Sequence, residues 1–399
     1  MRHARKERNS TINRIAIGIS ILCIALLAVM FVIDRQQKKE LGESLAQLAQ
    51  QQEAEEQAFL DMVNAEYDAD KAVLSQYLPG IVCWGDSLTA GAGGNGVTYP
   101  KVLQSLILEH ISDQYSLKSH PDSKYTYLMD PRDYTVEIPV INMGVGGENT
   151  MTITGRNGAI PYIVSESLTI PADTTPVQIH FTSKGGEYVA PLRQGQAGVN
   201  NVTIGGIEGK LSISQESNTS KDYSYYFTRS SAGEAKTVPA GTEIFTAASS
   251  RYLDYITVIF MGQNGGYKDF DDLIRQQRAI IDHQTANNDR FIIVGLHTGT
   301  KESRQTLEAA MKAEYGEKYI NLREYMSTNA MTDAGLKPTD EDTALMKQGA
   351  TPTSLLVDKD NVHFNAVGYE LIGNLIFDTM NELGYFDEVC NALFHNFES

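Results

Sequence analysis

Five short apolar runs restrict the fold of this chain more than anything else in it: Ile81–Trp84, Thr135–Asn142, Ile256–Met261, Phe291–Gly295 and Tyr319–Leu322. Between and after them lie amphipathic stretches with a helical period, Tyr99–Ile111, Thr150–Val164, Asp271–Ala286, Lys301–Tyr315 and Ala366–Leu383. Short apolar strands alternating with amphipathic helices predict an α/β domain, a mostly parallel sheet with helices on both faces. The rhythm breaks once. From Glu166 to Arg251 there is no helical period; β-like runs (Val177–Thr182, Asn201–Ile204, Lys210–Ser214, Tyr223–Thr228, Glu243–Ala247) are punctuated by Gly185-Gly186, Gly205-Gly206, Gly233 and Pro239-Ala240-Gly241. The expectation is an all-β subdomain, 166–251, inserted into an α/β domain made of 79–165 and 252–399.

Upstream, Ile15–Ile33 carries no charge over 19 residues. At about 1.5 Å per helical residue it nearly spans a hydrocarbon core of about 30 Å. It is read as a retained transmembrane helix (15–33) after a basic tail (1–14); it is longer than the apolar part of a cleaved signal, and no small-x-small site follows directly. The basic patch Arg2, Arg5, Lys6, Arg8 and Arg14 places the N-terminus in the cytoplasm and the body outside. Residues 34–78 are rich in Gln, Glu, Ala and Leu and predict a helical stalk, ended by Pro79-Gly80.

Charge excludes one class of partner. The formal charge is -17, and the first 39 residues hold eight of the 33 Lys/Arg but only two of the 50 acids. The acidic body would repel a phosphate backbone, so nucleic acid is not an expected partner. Cys23, Cys83 and Cys390 form no disulfide framework, and neither they nor the histidines show metal-ligand spacing.

Ligands of an open α/β sheet bind beyond the C-terminal ends of its strands. Four such places hold suggestive residues. Gly85-Asp86-Ser87-Leu88 follows the first strand and puts a serine at a strand-to-helix turn. Asn142-Met143-Gly144-Val145-Gly146-Gly147-Glu148 follows the second, where glycines let backbone N–H groups approach a ligand. Gly262-Gln263-Asn264-Gly265 follows the third. Asp360-Asn361-Val362-His363 precedes the last helix, which Asn365 caps. A serine hydroxyl needs a base to become a nucleophile. His363 can serve if Asp360 fixes its tautomer. A tetrahedral intermediate then needs donors, here the N–H groups of Ser87 and Gly147 and the Asn264 side chain. Asp86, His297, Tyr225 and Tyr226 are further candidates for contacting substrate. The two tyrosines are adjacent, so in a strand one at most faces inward; with Tyr188, Tyr223 and Phe227 they either form an aromatic platform or fill the subdomain's own core. Asp271-Asp272 and Asp340-Glu341-Asp342 read as solvated or helix-start charges.

In order and placement these four blocks resemble the SGNH (GDSL) hydrolases, a family of serine esterases and lipases. Ser87 matches the nucleophile block, Asn142-x5-Glu148 the second with its oxyanion glycine at Gly147, Gly262-x-Asn264 the third and Asp360-x-x-His363 the last. The resemblance covers about 79–165 and 252–385. Gly265 stands where the third block usually has aspartate, and Phe364 where proline often follows the histidine. The resemblance implies a flavodoxin-like sheet, no metal or other cofactor, and action on esters, often O-acetyl groups on carbohydrates. With the anchor, it implies a membrane-bound esterase facing outward, whose partner is an acylated cell-wall or surface polysaccharide or another small ester. An acyltransferase or a lipase or thioesterase of the same fold, and a noncatalytic glycan-binding surface protein, are the alternatives. The sequence does not specify an oligomeric state.

Overall fold

The computed structural model describes residues 2–112, 124, 128, 138–215, 223–284 and 289–395. The chain divides into two compact units, Met1–Tyr67 with Ser119–Thr135, and Asp68–Lys118 with Val136–Ser399. Most of the described part of the first unit is one helix, Arg2–Tyr77, whose residues from Asp68 belong to the second. Its early part is long and apolar enough to cross a membrane, a test that a signal sequence would also pass. The stretch that follows is exposed and carries pairs four residues apart, Lys38–Asp34, Gln36–Glu40, Gln51–Glu55, Gln52–Glu56 and Gln57–Asp61. Such pairs support the exposed part of the helix, and by its later turns Phe59 and Val63 are buried.

In the second unit five parallel strands lie in the order 140–144, 81–85, 256–260, 291–294, 319–320. In chain order that is 2-1-3-4-5, the flavodoxin-like doubly wound arrangement, and the order reverses between the first and third strands. Every residue of Ile81–Gly85, Ile256–Phe260 and Phe291–Val294 is buried, because both faces are covered. Val82 and Trp84 point to one face and meet Ile153, Leu273, Ile280, Leu307 and Met311 from the helices Thr150–Asn157, Phe270–His283 and Lys301–Tyr315. Cys83 points to the other, where its thiol meets the Tyr99 hydroxyl at the start of helix Tyr99–Ser112. That helix packs on Ala366–Glu382, expected to be the last helix but followed by Asp387–His395, so tightly that a Cβ at Gly373 would lie 2.6 Å from Val102.

The inserted region forms a seven-stranded antiparallel sheet in the order 177–179, 223–229, 207–215, 202–204, 243–245, 162–164, 181–182, with a two-stranded ribbon of 168–170 and 236–238. It has its own core around Tyr162, Val202, Ile204, Leu211, Tyr225, Phe227 and Ile244.

Three expectations need correcting. The helix expected over Thr150–Val164 stops at Asn157, where Gly158 takes a left-handed φ of 95° and its N–H caps the Thr154 carbonyl; Pro161 lies just beyond, and Tyr162–Val164 is a strand of the inserted sheet. Apolar residues with a loosely helical spacing concealed a stop signal of the ordinary glycine-then-proline kind. The strand expected to reach Leu322 ends at Ile320, because Asn321 caps a helix from Leu322 to Thr328. Asp342, expected as a solvated or helix-start charge, is a helix-start charge in a capping box with Thr339, but it is buried rather than solvated and accepts hydrogen bonds from Thr339, Thr353 and Ser354. Burial alone would raise its pKa, but those donors outweigh it and bring the pKa down to about 2. Residues 135–137 and 285–286, ends of an expected strand and helix, lie outside the described residues.

Candidate active site

The first strand ends at Gly85, level with Phe260 of the third, at the switch point of the sheet. There the chain turns into a four-residue helix, Ser87–Ala90, which Asp86 caps by accepting the Leu88 N–H at 3.0 Å. Ser87 is therefore presented at the strand end with its own N–H free of any intrahelical partner.

The fourth block folds into a tight turn. The Val357 N–H donates to the His363 carbonyl, and one carboxylate oxygen of Asp360 accepts the N–H groups of Val362 (2.8 Å) and His363 (3.1 Å). The other oxygen lies 2.7 Å from His363 Nδ1. On the far side of the same ring, Nε2 lies 2.9 Å from Ser87 Oγ. Partial desolvation works against ionisation of Asp360, but the His363 ring and the two backbone donors prevail and lower its pKa. The carboxylate is thus held charged beside the imidazole. A histidine fixed in this way can accept the serine proton through Nε2 while Nδ1–H stays on Asp360. The turn rests on the glycine-rich segment after Ser87: a Cβ at Gly93, whose φ is 87°, would meet Val357 at 2.4 Å and the Phe364 carbonyl at 2.8 Å. Only glycine lets these two segments close on one another.

The second and third blocks complete an open cleft of about 730 Å³, shared by Ser87, Gly146, Gly147, Gln263, Asn264, Asp360 and His363. Among the described residues the Gly147 N–H donates to no protein acceptor. Asn264 Nδ2 donates to the Glu148 carbonyl at 3.1 Å, which leaves its second N–H for a ligand. Beneath the loop, Glu148 and Arg156 form a buried ion pair, with Nε and Nη2 3.0 and 2.7 Å from one carboxylate oxygen. Arg156 also donates to the carbonyls of Met143 and Ala197 and lies 5.3 Å from the centre of the Trp84 ring. It ties the second strand's end, the glycine loop and the insert together. Asn142 does its work in the backbone, donating to the Thr89 carbonyl and accepting the Gly144 N–H.

Four residues expected to contact substrate fall differently. Asp86 is buried below Ser87 and does not line the cleft; one of its oxygens has no partner, and burial pushes its pKa up to about 6. His297 is also buried. Its Nε2 meets the Val362 carbonyl at 2.8 Å and its ring packs on Phe364 with centroids 4.2 Å apart. Burial lowers its pKa to about 3, so it is neutral and acts as a prop for the His363 turn. Tyr225 faces the insert's core, where its hydroxyl donates to the Pro191 carbonyl at 2.8 Å. Tyr226 points to the opposite face of that strand, half-buried and outside the cleft. One residue that no motif announced does line the cleft: Gln194, from an insert loop held by the Tyr225–Pro191 bond. Its only sequence signal was Gly195 beside it, a single glycine too common to read.

Strand order and site together define a class: a doubly wound α/β chain with a hydrogen-bonded Ser–His–Asp group at its switch point. No family model matches the chain, and no curated protein matches it. Among solved structures, a peptidoglycan O-acetylesterase is similar at a TM-score of 0.26 and 14% identity, over 80% of this chain and 95% of that one. A likeness at that level carries no weight for fold or function.

Proposed function

We propose that this chain is a serine esterase of the SGNH type, anchored in a membrane and facing outward, which removes O-acyl groups, O-acetyl foremost, from a cell-wall or surface polysaccharide. The observation that carries the reading is one imidazole bonded on opposite sides to Ser87 Oγ and to Asp360. Ser87 Oγ attacks the ester carbonyl as His363 Nε2 takes its proton, and Asp360 stabilises the imidazolium. The oxyanion is received by the N–H groups of Ser87 and Gly147 and by Asn264 Nδ2. His363 then gives its proton to the leaving sugar oxygen, which frees the alcohol. Water, deprotonated by the same histidine, attacks the acyl-enzyme and releases the acid. The choice of a carbohydrate ester rests on the motif resemblance and the apolar N-terminal helix, and the outward orientation on the basic patch before it.

The test is covalent labelling. A fluorophosphonate added to the full chain in detergent should modify Ser87, and the modification should vanish in Ser87→Ala and in His363→Ala. A wild-type protein left unlabelled at Ser87 would sink the mechanism.

A further inference from the structure

A second, smaller cavity adjoins the cleft of Ser87 and has a chemistry of its own. Its volume is about 160 Å³, and it shares Gly146, Gly147 and Gln194 with the cleft. That is below the roughly 300 Å³ of a pocket that encloses a whole small molecule, so it suits one substituent of a larger substrate. On one side stand Glu148 and Thr152 of the α/β frame; on the other stand Tyr188, Arg193 and Gln194 of the insert. The Arg193 guanidinium lies 4.5 Å from the centre of the Tyr223 ring, a stacking that restrains it.

Arg193 is exposed. It lacks an acid, as Arg229, Arg251 and Arg304 also do; what sets it apart is that it borders this cavity and, unlike Arg229 and Arg304, has no carbonyl partner among the described residues. Arg156, Arg275, Arg278, Arg290 and Arg323 each pair with a carboxylate. Arg193 has none within ion-pair distance among the described residues, in a chain with a formal charge of -17. The one carboxylate bordering the cavity, Glu148, is engaged by Arg156. The loop that carries Arg193 is tied at three points: Ala190 N–H to Thr152 Oγ1, Pro191 carbonyl to the Tyr225 hydroxyl, and Ala197 carbonyl to Arg156. It also lies close to the nucleophile. A Cβ built on Gly146 would be 2.7 Å from Gln194 Oε1 and 3.9 Å from Ser87 Cβ. An unpaired guanidinium and an adjacent amide, pre-positioned beside an ester-attacking serine, fit a planar carboxylate, to which arginine binds through two parallel N–H groups.

We propose that Arg193 and Gln194 form a carboxylate-recognition subsite, so that the ester attacked by Ser87 is carried on an acidic sugar. This rests on the esterase reading of Ser87 and names its substrate class. The experiment compares kcat/KM of the full chain on O-acetylated oligogalacturonate and on neutral O-acetylated xylo-oligosaccharide. Wild type should favour the acidic ester at least tenfold in low salt, and sodium chloride should erode that preference. Arg193→Gln should reduce the preference at least tenfold, chiefly through KM on the acidic ester, and Arg193→Lys should restore part of it. An equal kcat/KM on the two esters in wild type, or an equal loss on both in Arg193→Gln, overturns the subsite and leaves Arg193 a surface residue. Failure of the esterase reading is seen separately, as absence of fluorophosphonate on Ser87. In that event equilibrium binding of deacetylated oligogalacturonate still decides the subsite: it requires binding by wild type that weakens at least tenfold in Arg193→Gln, and equal binding by the two sinks it.

Discussion

The two walls of the cleft are built on different principles. On the α/β side, the serine and the histidine stand at a strand end and just before a helix start, and near neighbours in sequence do much to fix them: Asp86 caps the Ser87 turn, and Asp360 binds the backbone of Val362 and His363 as well as the His363 ring. On the insert side, Arg193 and Gln194 sit on a loop with no regular structure, fixed by partners far along the chain at Thr152, Tyr225 and Arg156. Short-range fixing makes for a rigid chemical group whose geometry hardly depends on the rest of the fold. Long-range fixing makes a wall whose position is decided by how two separately cored sheets meet. The first suits bond-making atoms, and the second suits a surface that selects what reaches them.

The largest expected effects lie on the first wall. Ser87→Ala and His363→Ala should each lower kcat for p-nitrophenyl acetate by at least about 10⁴-fold, and the double variant should be no worse than either single one, because the two act as a unit. Additive losses would break the idea of one relay. Next comes the residue that joins the walls. Arg156→Ala leaves Glu148 buried without its cation and should destabilise the protein by about 3–5 kcal/mol in urea unfolding at neutral pH; a loss below about 1 kcal/mol would show the walls to be independent. Asn264→Ala should reduce kcat by about 10²–10³-fold, or about 2.7–4 kcal/mol, with little change in KM.

Asp86 gives a smaller effect with a definite sign. Folded Asp86 keeps its proton up to about pH 6, against an ordinary value of 3.8. Its contribution to stability is therefore complete below pH 3.8 and is lost as pH rises through 6, a change on the order of 3 kcal/mol. Asp86→Asn should flatten the decline in urea stability across that window; an unaltered slope would place the decline on other groups. The smallest effect tests the second wall. Tyr225→Phe removes only the bond to the Pro191 carbonyl and should cost about 1 kcal/mol of stability. If that bond holds the loop in place, the variant should also lose part of any preference for an acidic ester.

What the chain's own pattern determined was mostly short in range. The parallel strands showed as apolar runs, the serine turn as a strand followed by Gly-Asp-Ser-Leu, and the Asp360–His363 spacing as a turn in which one carboxylate reaches both backbone and ring. Each of these depends on residues within a few positions of one another, where backbone sterics and local hydrogen bonds decide the outcome. The motif order also indicated which strand ends should meet. Only the tertiary structure decided the rest. Ser87 and His363 are 276 residues apart, and their 2.9 Å contact exists because strand order and the Gly93 packing bring two turns together. His297, Asp86 and Tyr225 have the chemistry of ligand-binding groups, yet burial gave the first two to the α/β frame and Tyr225 to the insert's core. Gln194 and Arg193 have no motif at all, yet packing of the insert sets them beside the nucleophile. A side chain's type and its neighbours in sequence say what it can do; whether it faces water, a core or a substrate depends on distant surfaces closing over it.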